Sequence, residues 1–249
     1  MKYPEDFVDK IILGDCLEVM SKIPEHCIDL ILCDLPYQVT QNGWDQIIPM
    51  EPLWEQYSRL IKPNGAIVLT AQGKFSAMLI MAAKVKYQYS AVWVKNNHTN
   101  QLNAKKQLLR QHEDILIFYD NQPTYNPQGI VKVEKVTVQG KKSTTCYGVH
   151  SREDYLQEYS NWPTTLIQVK GKTTGIHPTE KPVNLFSYLC KTFSNEGDLV
   201  LDNCSGSGTT AVMAKSIDRH FICIENDPEM HAKSVERFNK EFQNDGLFG

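Results

Sequence analysis

No two of the seven cysteines stand in a CxxC spacing, and neither they nor the seven histidines recur at intervals that suit a metal. A structural zinc is therefore not expected. Cys16, Cys27, Cys33, Cys146, Cys190, Cys204 and Cys223 form an odd set, several of them inside apolar runs. That pattern reads as reduced, buried small hydrophobes in a cytoplasmic protein. There is no apolar run of about 18 residues and no basic start followed by an apolar middle, so neither a membrane span nor secretion is expected. Repeats and low-complexity tracts are missing as well. Positive charge is also in deficit, since the chain carries −3 overall. Its distribution alters the conclusion: residues 1–83 carry −5, residues 84–142 carry +6 and residues 143–249 carry −4. A basic block between acidic flanks suits contact with phosphates.

What is present is a chain of 249 residues, 41% hydrophobic and 22% charged, enough for one large α/β domain or a domain with a substantial insertion. Residues 8–15 predict a short strand, residues 16–20 a helix capped by Asp15, and residues 28–34 a second strand, together an early β-α-β unit. Residues 51–61 predict a helix broken at 62–65, residues 66–70 a strand, and residues 75–84 a helix. The β-rich runs 87–94 and 114–119 flank a polar stretch, 95–111, that holds Lys95, Asn97, Lys105, Lys106 and Arg110. That density of amides and cations suits base edges and phosphates, and it equally fits a long solvated excursion. From 122 to 175 the α/β rhythm lapses into a segment with Lys132, Lys135, Lys141 and Lys142 interleaved with Tyr147, Tyr155, Tyr159 and Trp162. It predicts a small inserted module, compatible with a nucleic-acid surface. Regular helix and strand signals return at 183–193, 197–202, 211–215, 219–225 and 228–242.

Two constellations carry chemistry. The run Ile28-Asp29-Leu30-Ile31-Leu32-Cys33 is that of a buried strand, and it ends in Asp34-Leu35-Pro36-Tyr37, at the carboxyl end where open α/β sheets bind ligands. An ionised Asp34 and the Leu35 carbonyl are two acceptors on a turn stiffened by Pro36, which suits an NH2 group held by both hydrogens. Tyr37 offers a face on which a flipped base could stack. The plainer reading makes Asp34 a turn cap and Tyr37 a filler of the core edge. Trp44, in the loop that follows, is a lid or an aromatic pinning that loop to the body. The second constellation is a strand ending in Asp202, then Asn203-Cys204-Ser205-Gly206-Ser207-Gly208-Thr209-Thr210, a helix, and a strand ending in Glu225. Gly206 and Gly208 allow a ligand to approach the backbone, and Glu225 is placed for two ribose hydroxyls. The third glycine of the dinucleotide pattern and the Gly-Lys-Ser/Thr of a phosphate loop are both absent. Asp202 would repel a pyrophosphate and attract an ammonium.

With these motifs the chain resembles the DNA amino-methyltransferases in the permuted, β-type arrangement, where the catalytic half precedes the cofactor half. Asp34-Leu35-Pro36-Tyr37 stands where that family has Asp-Pro-Pro-Tyr, with leucine for the first proline. The segment 201–210 matches its S-adenosylmethionine loop, with Cys204 in the place of a phenylalanine and Glu225 as the ribose acid. His177-Pro178-Thr179-Glu180-Lys181-Pro182 matches the segment that closes over the methionine part. The resemblance implies a Rossmann-like sheet with helices on both faces. It implies a catalytic half at 1–120, an inserted target-recognition region at 121–175 and a cofactor half at 176–249. It implies catalytic roles for Asp34, Leu35, Pro36 and Tyr37. Cofactor contacts are expected from Asp15 (otherwise a plain helix cap), Thr179, Lys181, Asp202, Cys204, Gly206, Ser207, Gly208, Thr209 and Glu225. The implied substrate is double-stranded DNA, with an initial Asp resembling the adenine-N6 branch and cytosine N4 as the rival. An RNA base or a catalytically silent DNA-binding protein are further readings. A homodimer and pairing with a restriction nuclease are family priors.

Overall fold

The computed structural model describes residues 1–37, 47–137, 155–169 and 180–242, and for 134–137 and 155–156 the backbone alone. Trp44, Lys141, Lys142, Cys146, Tyr147 and Thr179, and the side chain of Lys135, lie outside the described residues.

The chain divides into two compact units, Met1–Asn126 with Thr165–Gly249, and Pro127–Thr164. The larger is built on one sheet. Its strands are β1 (Lys10–Leu13), β2 (Ile28–Asp34), β3 (Ile61–Ala71), β4 (Tyr87–Thr99) and β5 (Arg110–Phe118) from the first half of the chain. The smaller unit holds β6 (Val131–Thr137) and β7 (Tyr155–Ser160), and the large sheet is completed by β8 (Leu166–Ile167), β9 (Leu199–Asp202) and β10 (His220–Glu225). Their order across the sheet is β1-β10-β9-β2-β3-β5-β4-β8. From β1 to β3 every pairing is parallel, and β5 runs antiparallel between β3 and β4. The expected early β-α-β unit is therefore split: β1 and β2 share a direction, but β10 and β9 lie between them.

The period-2 alternation of the strands builds two cores. Ile31, Cys33, Ile67, Leu69, Leu116, Phe118, Leu201, Ile222 and Ile224 face one side. They pack on helices α1 (Cys16–Met20), α2 (Met50–Leu60) and α3 (Lys74–Ala82) through Val19, Met20, Leu53, Trp54, Tyr57, Phe75 and Leu79. Leu30, Leu32, Val68, Ile115, Ile117, Val200, Phe221 and Cys223 face the other. There they pack on α4 (Val183–Phe193), α5 (Thr209–Ser216) and α6 (Pro228–Phe242) through Leu185, Phe186, Leu189, Phe193, Ala211, Met213 and Phe238. Strands buried on both faces explain why these segments read as unbroken apolar runs. The fold is thus the expected α/β sheet with helices on both faces.

Three local readings change. Residues 62–65 do not end a helix at a loop but form an irregularity inside β3, between the pairs Ile28↔Ile61 and Leu30↔Ala66. The polar stretch shortens, because β4 continues to Thr99 and β5 begins at Arg110, leaving a hairpin tip at 100–109. The strand β8, too short to be seen in a pattern, adds to β4 in parallel. In the smaller unit β6 (Val131–Thr137) and β7 (Tyr155–Ser160) pair antiparallel, and Tyr159 meets Trp162 edge-on at 6.3 Å. Asn126 stays with the larger unit, its amide N–H donating to the Thr192 carbonyl at 2.8 Å.

Candidate active site

Parallel pairing from β1 to β3 aligns the carboxyl ends of these strands on one edge of the sheet, and the predicted site residues collect there. Asp34 ends β2, Asp202 ends β9, and Glu225 ends β10. Since β2 lies directly between β9 and β3, the two constellations stand side by side although they are remote in sequence.

Asp34 is paired in register with Thr70 at the end of β3. Its Oδ1 accepts hydrogen bonds from the Tyr37 hydroxyl at 2.6 Å and from Thr70, and Tyr37 also reaches Thr70 Oγ1 at 3.1 Å. Its Oδ2 accepts from Lys181 Nζ at 2.5 Å. The Tyr37 ring rests on Phe75, centroids 5.0 Å apart, with the Lys181 ammonium 5.7 Å from its centroid. Leu35 is buried in the core, so its side chain anchors the turn that a proline would otherwise stiffen. Burial, and then the Asp34 carboxylate, push the Tyr37 phenol well above its usual range, so it remains a donor. Burial alone would lower the Lys181 ammonium, but the Asp34 and Glu113 carboxylates outweigh it and raise it. Lys181 is therefore a fixed cation with its side chain only 6% exposed.

At the neighbouring strand ends, Gly206 and Gly208 take positive φ, +49° and +76°, as a chain turning tightly into α5 requires. A Cβ on Gly208 would stand 3.0 Å from Ser234 of α6, whereas one on Gly206 would meet nothing within 4 Å. The open side of Gly206 and the buried Ser205 hydroxyl, without a hydrogen-bond partner among the described residues, suit a ligand lying on the loop. Glu225 holds that loop by accepting from Gly206 N and Asp227 N, each at 2.8 Å. Asp202 accepts from Cys204 N at 3.1 Å and from the Thr210 hydroxyl at 2.5 Å. Burial raises its carboxyl to about 6, against those hydrogen bonds. An acid this reluctant to ionise alone gains from a cationic ligand, which fits the ammonium and sulfonium of S-adenosylmethionine.

Cys204 packs on the core that holds Cys16 and Cys33, where a phenylalanine was expected, and those two thiols, with burial, push its own thiol well above the usual range. All six described cysteines are free thiols. Asp15 caps α1, its Oδ1 accepting from Leu17 N at 2.9 Å and Glu18 N at 3.0 Å. Ser207 and Thr209 bond Arg237, whose Nη1 lies 3.1 Å from the Ser207 carbonyl and 3.2 Å from the Thr209 hydroxyl. Lys95, expected at a phosphate, is instead bonded to the buried Glu113 of β5. Asn97, Lys105, Lys106 and Arg110 are exposed on the β4–β5 hairpin, and Arg110 bonds Gln72 at 3.1 Å. That hairpin leaves the same edge as Asp34, since β4 runs parallel to β3. Lys132 is exposed on β6.

Sequence reasoning missed four contributors. Thr70 was visible as a strand end, but its pairing with Asp34 was not. Glu113 preceded the recognised run. Tyr57 donates to Asn203 Oδ1 at 2.6 Å across 146 residues. Arg237 of α6 pairs with Glu180 at 2.8 Å, both side chains almost fully buried.

An acid and a phenol at one strand end, beside a glycine loop framed by two acids at the next, fit a methyltransferase acting on an amine. The comparisons give the class its particular family: the chain belongs to the N6/N4 DNA methylases, whose profile matches residues 28–236. It is an S-adenosylmethionine-dependent DNA amino-methyltransferase. Type II methyltransferase M.HpaI of Haemophilus parainfluenzae is 24% identical over 94% of this chain and 75% of that protein. DNA adenine methyltransferase YhdJ of Escherichia coli K12 is 25% identical over 92% of this chain and 82% of that protein. Among solved structures, the M1.HpyAVI–SAM complex superposes with a TM-score of 0.63 at 22% identity, covering 92% of this chain and 98% of the other. The cytosine-N4-specific PvuII DNA methyltransferase gives 0.67 at 17% identity, covering 92% and 86%. No helix among the described residues is long and apolar enough to cross a membrane, and no cluster among them could hold a metal ion.

Proposed function

We propose that this chain methylates the exocyclic N6 of an adenine flipped out of double-stranded DNA, in the permuted arrangement with the catalytic half first. The observation that carries this is the Asp34 carboxylate at the end of β2, one strand from Asp202 on the same sheet edge. The adenine target is supported by the likeness to YhdJ, itself named a DNA adenine methyltransferase, and by the aspartate that opens the tetrapeptide. Cytosine N4 is the second reading, favoured by the superposition on the PvuII enzyme.

When bound, S-adenosylmethionine would supply a methyl group on a sulfonium, an electrophile from which an amine can displace a neutral thioether. The chain contributes placement and charge. Asp34 and the Leu35 carbonyl accept the two amine hydrogens and so favour the pyramidal, increasingly positive nitrogen of the transition state. Tyr37, backed by Phe75 and beside Pro36, stacks the base. Lys181 is already protonated, so the proton the amine loses goes to Asp34 or to water. Asp202 would hold the cofactor's ammonium and Glu225 its ribose hydroxyls, with Cys204, Gly206, Ser207, Gly208 and Thr209 lining its site; Asp15 and Thr179 are assigned to the same cofactor. Asn97, Lys105, Lys106 and Arg110 meet DNA phosphates and base edges, and in the recognition region 121–175 Lys132, Lys135, Lys141 and Lys142 are assigned the same role. A cytoplasmic homodimer that guards DNA against a cognate nuclease completes the reading.

The test is methylation of mixed genomic DNA with labelled cofactor, followed by nucleoside mass spectrometry and base-by-base mapping. N6-methyladenine is expected. Exclusive N4-methylcytosine would transfer the assignment to the second reading, and cofactor binding without transfer would remove both.

A further inference from the structure

Asp34 has no carboxylate oxygen without a partner. Tyr37 and Thr70 occupy Oδ1, and the Lys181 ammonium holds Oδ2. An arriving amino group would compete with a full positive charge for its own acceptor, and charge-assisted bonds of this kind are about twice as strong as neutral ones. Lys181, however, stands between two acids. Its Nζ also lies 3.3 Å from Oε2 of Glu113, whose side chain is 7% exposed. That oxygen is buried and has no other hydrogen-bond partner among the described residues, whereas Lys95 already bonds Oε1 of the same carboxylate. Lys95 itself sits 5.7 Å from the Trp93 ring centroid, which braces it on the neighbouring strand.

We infer that Glu113 is a positioning residue that gives Lys181 a second berth. When the target amine binds, the Lys181 ammonium passes from Asp34 to Glu113 Oε2 and frees Asp34 Oδ2 for an N–H of the base. No proton is transferred, and Asp34, Glu113, Lys181 and Lys95 remain two anions and two cations before and after. Glu113 Oε2 is the loose end of the cluster with the base absent, and it takes a full bond once the base is in place. The cation stays beside Asp34 throughout, so the anion that grips the amine is not left uncompensated in a buried place, where a lone charge is costly. The assignment rests on reading Asp34 as that grip.

The experiment uses the full chain, mixed genomic DNA and labelled cofactor, with cofactor affinity measured separately. Glu113→Gln keeps the shape but offers Lys181 no anion. The rate at saturating DNA and cofactor is expected to fall at least about tenfold, which is about 1.4 kcal/mol of transition-state stabilisation. Cofactor affinity is expected to stay within about twofold, and Glu113→Asp, which restores the anion, to recover the rate to within about threefold. In a Lys181→Met background the further change Glu113→Gln should alter the rate less than about twofold, since its target is already gone. A Glu113→Gln enzyme as fast as the parent, or an equal loss in both backgrounds, would overturn the assignment. Should Lys181→Met fall below detection, the aspartate decides: a loss as deep as that of glutamine also overturns it. Asp34→Ala serves as the separate control. If that variant methylates normally, the grip itself is wrong whatever Glu113 does.

Discussion

Asp202 is an acid poised by its surroundings. Its carboxyl sits at about 6 in the fold against an ordinary 3.8, because burial opposes ionisation more than the Thr210 and Cys204 hydrogen bonds favour it. A folded-state value above the unfolded one means the native state holds the extra proton between them, so cofactor-free stability contributed by this group is lost as pH rises from about 4 to about 6. A cation bound beside it reverses the preference. Thermal unfolding of the cofactor-free chain should therefore show a decline over that window that Asp202→Asn abolishes. Titration calorimetry should show cofactor affinity weakening as pH falls through about 6, with proton release on binding. Invariant affinity from pH 5 to 7 would remove Asp202 from the cofactor contact. The sequence displayed this acid and its glycines openly, since strand, turn and helix follow without interruption. Thr70, Tyr57 and Glu113 stayed hidden because each reaches the site through register or packing with a partner dozens of residues away, which no local pattern encodes.

At the scale of elements, the helices and strands of the larger unit were legible wherever one period dominates, as in α4 and α6, whose apolar faces repeat at helical spacing. The β4–β5 hairpin was misread in extent because its outer residues, from Lys95 to Thr99, pair through an irregular register and carry polar side chains on an exposed end. Its tip holds Lys105 and Lys106, with Leu102 and Leu108 almost wholly exposed. If the two lysines meet phosphates, replacing both with alanine should reduce the slope of log affinity against log salt by about 2 units, with cofactor binding unchanged. An unchanged slope in a filter-binding series would move the DNA path elsewhere. Helix α6 has a different task. Arg237 ties the cofactor loop, through Ser207 and Thr209, to Glu180 just before α4. Arg237→Met should lower stability by about 3–5 kcal/mol, since it removes one partner of a buried ion pair. Urea unfolding reads this directly, and adding Glu180→Gln should recover part of the loss.

On the scale of the whole molecule, the parallel direction of β1, β10, β9, β2 and β3 is what turns scattered acids into one site. Asp34 and Asp202 need only end neighbouring strands to converge, and the order of those strands, unlike their existence, follows from which sheet edge each crossover helix can cover. The sequence motifs implied that neighbourhood through family likeness, whereas the alternation of residues between the two cores is its physical cause. The small unit, with one described hairpin and no periodic apolar face, left no comparable signal.

The same sheet order governs how the chain is made. Strand β2 emerges early, gains β3 soon after, and then waits with an open backbone edge until residues 199–202 have been synthesised. Most of the polypeptide is made before that edge closes, so the nascent protein carries an apolar strand with one unpaired edge for much of its synthesis, the kind of surface on which chaperones act and aggregates begin.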